Sequence, residues 1–107
     1  MEAEFELETI LSVVYRQNIT TNYNNILDLY SFMFNMPNIS MTDFFRLYEI
    51  GREHILKLYP EMDDRLHSFD PLYVHSYVQK QKQRFGNTLT ISTFGTPIMN
   101  LKNKLIN

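Results

Sequence analysis

The sequence predicts a mainly α protein, a small bundle of four to six helices with one short extended segment near residues 88–94. Three observations lead there. Apolar residues recur every three to four positions along most of the chain. Capping residues and prolines fall where those stretches end. One run, Thr88-Leu89-Thr90-Ile91-Ser92-Thr93-Phe94, departs into β-branched alternation instead. With 107 residues, 44% of them hydrophobic and 21% charged, the chain has the size and composition of one folded unit. Residues 1–107 are therefore expected to form a single compact helical domain.

Taken in order, the first helix is expected over residues 2–16. Ala3, Leu7, Ile10, Leu11 and Val14 share one face there, and four glutamates crowd the positive helix end. A second helix, over 23–36, follows the capping cluster Thr20-Thr21-Asn22 and stops at Met36-Pro37. Its main stripe is Tyr23, Ile26, Leu27, Tyr30, Met33 and Phe34. A third, from Thr42-Asp43 to about Leu58, carries Phe44, Leu47, Tyr48, Gly51, Ile55 and Leu58 and ends at Tyr59-Pro60. Gly51 on that packed face points to a close approach by another backbone, because it costs about 1 kcal/mol in helix propensity relative to Ala. A helical turn is expected over 61–67. Asp70-Pro71 then supplies an N-cap and a first-position proline for a fourth long helix over 71–85, closed by Gly86. A lone strand at 88–94 needs a partner. Either Gly95-Thr96 turns the chain into a hairpin with 97–102, or Thr96-Pro97 caps a last helix carrying Ile98, Leu101 and Leu105; the second is favoured because residues 100–104 are poor strand material.

Charge is distributed unevenly. Residues 1–74 hold 5 Lys or Arg against 12 Asp or Glu, whereas 75–107 hold Lys80, Lys82, Arg84, Lys102 and Lys104 and no acid. On the fourth helix, 100° per residue gathers Tyr73, Ser76, Lys80, Gln83 and Arg84 on one side, opposite Val74, Val78 and Phe85. That mixture suits phosphate contact with some stacking or base contact. If residues 88–102 take the hairpin alternative, the order helix, short helix, basic helix, hairpin over residues 43–102 resembles a winged helix-turn-helix, which would read a major groove with residues 71–85. A solvated helix face, or an internal match to the acidic first helix, explains the same charges. The whole chain, at −2, repels nucleic acid slightly.

The opposite extreme lies between Gln17 and Thr42, where Asp28 is the one charged side chain. The second helix sets Leu29, Phe32 and Met36 on the side away from its main stripe. A helix apolar on two faces is either the axis of the core or part of an interface. In the interface reading, Leu29, Phe32 and Met36 bind a protein partner or a second copy of the chain.

Catalytic chemistry has little raw material. Cysteine is absent, which removes disulfides, thiolate ligands and thiol nucleophiles. Three glycines cannot build a phosphate-cradling loop, and no nucleophile elbow or zinc-protease helix occurs. Asp63 and Asp64 are adjacent rather than opposed across a cleft. His67, Asp70 and His75 lack the four-residue spacing that aims two helical ligands at one metal. No cofactor is expected. The acidic start Met1-Glu2-Ala3-Glu4 is unlike a presequence and no apolar run is long enough to span a bilayer, so a cytoplasmic protein without membrane contact is expected. The sequons at Asn18 and Asn38 are then idle. Ten Asn beside many Ile, Tyr and Phe point to an AT-rich genome and suit a phage or viral accessory protein. By elimination the expected role is non-catalytic: an adaptor, assembly component or inhibitor that binds a protein partner through an apolar helical face. Nucleic-acid binding by the basic helix is the alternative, and a third option is that residues 88–94 serve as an edge strand for another chain.

Overall fold

Alternation at the N-terminus decides the first element. Glu2-Ala3-Glu4-Phe5-Glu6 has the period of a strand, and in the computed structural model Glu2–Glu6 forms β1. The structure describes residues 1–17, 19, 22–62 and 70–93. After β1 come α1 (Leu7–Val14), α2 (Asn24–Phe34), α3 (Met41–Leu58), α4 (Pro71–Phe85) and β2 (Thr88–Ser92). The mainly helical class with a short extended element is what the sequence predicts. The boundaries of the first helix are not, since residues 2–6 leave it for the sheet.

Pairing is the reason. β1 and β2 run antiparallel with Ala3 opposite Ile91 and Phe5 opposite Leu89. Ile91 is fully buried and Leu89 nearly so, while Glu2, Glu4 and Glu6 face solvent. The strand at 88–92 thus finds its partner at the far end of the chain. Residues 97–102, expected as a hairpin strand or a last helix, lie outside the described residues, as do most of 61–67.

The central element is α1. Leu7, Thr9, Ile10, Leu11, Ser12, Val13 and Val14 are all buried, so this helix is enclosed on every side, as expected for one carrying a single charged residue, Glu8. The second helix, with Asp28 as its one charged residue, is therefore not the axis. It presents Ile26, Leu29, Tyr30, Met33 and Phe34 inward, an i, i+3, i+4, i+7, i+8 stripe that takes in Leu29.

Helix ends follow their local chemistry. Both α1 and α2 close with paired bonds to the last turn: Gln17 N–H donates to Ser12 O and Arg16 N–H to Val13 O, and Met36 N–H donates to Ser31 O and Asn35 N–H to Phe32 O. This closure needs a left-handed residue, found as Arg16 (φ 55°) and Asn35 (φ 52°). The Ser40 hydroxyl caps α3 by accepting from Asp43 N–H at 3.1 Å, two residues before the expected start. Asp70 Oδ1 accepts from Leu72 N–H at 2.9 Å at the start of α4, and Gly86 with φ 91° makes the turn into β2.

Candidate functional site

Three side chains of α3 receive the end of α1. The Tyr48 hydroxyl donates to Val13 O at 2.6 Å, and the buried Arg52 donates through Nε to Val14 O at 2.8 Å. Arg16, just past the helix, forks onto Glu49 with Nε and one terminal nitrogen each 3.0 Å from a carboxylate oxygen. Tyr48 and Arg52 thereby bond the last carbonyls of the helix, Val14 O from Arg52 and Val13 O from Tyr48 beside the Arg16 N–H. They also fix the width of the gap between α1 and α3. The loop after α1 folds back on the same corner, because Ile19 N–H donates to Ser12 Oγ at 2.8 Å.

That gap is an open cavity of about 320 Å³, lined by Val13, Ile26, Phe44 and Tyr48 within and by Tyr23, Phe45, Arg16 and Glu49 at its mouth. Phe44 is its floor. The Phe44 ring meets Tyr23, Tyr30 and Tyr48 edge-on, with centroids 6.0, 4.8 and 5.6 Å away, an arrangement that aromatic quadrupoles favour. Phe45, next in sequence, tilts its ring against Phe44 at 5.5 Å and is 66% exposed. Burial raises the pKa of both Tyr30 and Tyr48, with the neighbouring tyrosine and Glu49 adding to it for Tyr30 and Arg16 opposing it for Tyr48. Both hydroxyls are neutral donors at physiological pH. The site has an apolar interior, a satisfied ion pair at the rim and no ionisable group poised for proton transfer.

The structure scatters the residues expected to bind a partner. Leu29 is fully buried and cannot meet another molecule without unfolding. Phe32 is half-buried with its ring 5.4 Å from that of Phe5, because strand β1 lies where solvent was expected. Met36 packs half-buried on the core. Of the groove residues, Tyr23, Ile26, Phe44 and Tyr48 fall in the stripes that periodicity predicts as core, and the one signal for a surface there is Phe45, outside the stripe of the third helix.

On α4, Ser76, Lys80 and Gln83 are exposed and Tyr73 is half-buried, its ring stacked on that of Tyr77 at 6.0 Å. Arg84 turns back, donating to Glu61 O at 3.0 Å with its guanidinium 4.9 Å over the Phe85 ring. Lys82 lies 3.2 Å from Glu8 of the acidic N-terminal segment. Lys102 and Lys104 fall outside the described residues. Gly51 also departs from expectation: the group it admits is the Tyr30 ring, not a backbone. Among the described residues no three His, Cys, Asp or Glu side chains gather as a metal site, and no helix is long and apolar enough to cross a membrane. His67 lies outside that set, as do Asp63 and Asp64. No protein-family model, curated protein or solved structure matches the chain.

Proposed function

We propose that the protein is a non-catalytic interaction module that seats an apolar side chain of a protein partner in the groove between α1, α2 and α3. One observation carries this reading: an open, apolar cavity of about 320 Å³ lies beside Phe45, which is 66% exposed. Enclosed sites for small molecules start near this volume and bury most of their ligand, whereas this one opens broadly and suits an inserted side chain. Exposed aromatics over a packed floor, with a rim arginine, are the residue types that anchor protein interfaces. The apolar helical face expected from sequence thus moves from Leu29, Phe32 and Met36 to Tyr23, Phe44, Phe45 and Tyr48. An adaptor or inhibitor role in a cytoplasmic, phage or viral setting belongs to the same proposal. Nucleic-acid binding by Tyr73, Ser76, Lys80, Gln83 and Arg84 takes second place, because Arg84 is already engaged with Glu61.

The test is site-specific photocrosslinking in extract of the source cells, with benzophenone side chains at position 45 and, as control, at the exposed position 79. A discrete protein adduct is expected from position 45 alone, suppressed by excess parent protein but not by Phe45→Asp. Equal adducts from both positions, or none, would overturn the proposal.

A further inference from the structure

The register of the sheet leaves one edge open. Leu7 N–H donates to Asn87 O and Thr93 N–H to Met1 O, so the odd-numbered residues of β1 face β2 across the ladder. In an antiparallel pair the intervening residues turn their backbone groups outward. For β2 those are Thr88, Thr90 and Ser92, and α3 covers that side: the Tyr59 hydroxyl donates to Thr90 O at 2.7 Å, and His54 Nε2 to Ser92 O at 2.7 Å. In the strand expected at 88–94, the outward carbonyls of Thr90 and Ser92 are thereby already bonded. For β1 the outward groups belong to Glu2, Glu4 and Glu6, and no bond from them to another element occurs among the described residues.

Beside this edge lies a second cavity of about 210 Å³, walled by Glu4, Phe5 and Glu6 on the strand side, by Thr9, and by Asn25 and Asp28 of α2. Thr9 is 1% exposed and its hydroxyl has no hydrogen-bond partner. A buried hydroxyl left unpaired costs about 1–3 kcal/mol, which an incoming polar group can recover. A strand edge facing a helix across a groove is the arrangement that accepts an added strand.

We infer that β1 is a docking edge for an extended basic segment of another protein, which lies between β1 and α2 with its backbone on Glu2, Glu4 and Glu6. Charge selects the occupant. The three glutamates and Asp28 line the edge and groove, so lysines or arginines at alternate positions of the added strand meet carboxylates at cross-strand distance. A second copy of β1 would set glutamate rows against each other and is disfavoured on the same ground.

The probe is a capped peptide of alternating lysine and valine, titrated into the full-length protein with amide NMR as readout. Saturable shifts are expected at Glu4, Glu6 and Asp28, with no effect from a glutamate–valine counterpart. N-methylation of alternate peptide nitrogens leaves charge intact but removes ladder bonds; it is expected to weaken binding about tenfold or more. Glu4→Pro should do the same while keeping the fold, since proline is tolerated where the lost N–H points away from the sheet. Unchanged affinity after N-methylation reduces the effect to charge alone and overturns the proposal. So does an absence of shifts at low salt, or strong exchange protection of the Glu4 and Glu6 amides in the free protein, which would show the edge already occupied.

Discussion

The Tyr30 ring lies where a side chain on residue 51 would be: a Cβ built on Gly51 falls 2.6 Å from Tyr30 Cε2 and 2.9 Å from its hydroxyl oxygen. The ring cannot easily step aside, because its hydroxyl donates to Tyr48 O at 2.6 Å and it is fully buried. Gly51→Ala gains about 1 kcal/mol in helix propensity and loses about 1–3 kcal/mol to overpacking. Counting the strained hydroxyl bond, a net loss of about 1–2 kcal/mol in urea unfolding is expected. A more stable Gly51→Ala would show that the contact is slack.

The same tyrosine, with Tyr48 beside it, couples stability to alkaline pH. Burial, with Tyr48 and Glu49 adding to it, raises the Tyr30 pKa well above its ordinary value, whereas the unfolded chain ionises it near pH 10. The folded state therefore holds a proton that the unfolded state releases. This contribution is complete below pH 10 and is lost as pH climbs from there toward the folded pKa. Stability measured between pH 8 and 11.5 should fall above 10, and Tyr30→Phe should flatten that fall while lowering stability by about 1 kcal/mol at pH 8 through the lost hydrogen bond. An equally steep fall in Tyr30→Phe would assign the effect to other groups.

Helix periodicity made α3 and α4 legible almost to the residue, because each has a polar cap and an end signal of its own. Periodicity places the second helix well but not its rotation: a stripe that includes Tyr23 and Leu27 puts Leu29 on the far side, whereas the buried set at 26, 29, 30, 33 and 34 has the better helical spacing. The N-terminal strand was missed for a different reason. Glu2 to Glu6 alternates over too few residues to outweigh the apolar helix that follows, and its partner lies more than eighty positions away. With Leu29 buried and β1 packed on Phe32, only parts of Phe32 and Met36 remain at the surface. The groove at Phe44 and Phe45 depends on the distance between α1 and α3, which is set by side chains meeting carbonyls and leaves no periodic trace.

Two arginines beside that groove separate exposure from chemistry. Arg16 holds Glu49 in a two-pronged pair, yet both side chains are more than half exposed. Arg52 donates from Nε to Val14 O from a position only 8% exposed. Exposed pairs contribute at most about 1 kcal/mol, whereas bonds to charged donors at buried carbonyls contribute about 1.5–3 kcal/mol. Arg16→Ala is expected to lower stability by under about 1 kcal/mol, and less at high salt. Arg52→Ala should cost about 1.5–3 kcal/mol, largely independent of salt. Lysine at 52 should not rescue it, because a lysine places no donor where Nε sits. Equal costs for the two variants would contradict the burial difference.

Leu29 and Phe45 divide core from surface most sharply. Both are large apolar residues, but Leu29 is fully buried and Phe45 is 66% exposed. Leu29→Ala removes packed methyl groups from the centre of the fold and is expected to cost about 2–5 kcal/mol, as buried leucines generally do. Phe45→Ser removes area that already meets water and should change stability by less than about 0.5 kcal/mol. If binding runs through the groove, the order reverses for the partner: Phe45→Ser weakens capture tenfold or more as a hot-spot loss, while any Leu29→Ala protein that remains folded binds normally. Thermal unfolding and crosslinking yield, measured side by side on the two variants, distinguish the roles. A Phe45→Ser protein that unfolds as readily as Leu29→Ala would place Phe45 in the core and remove the anchor from the proposed interface.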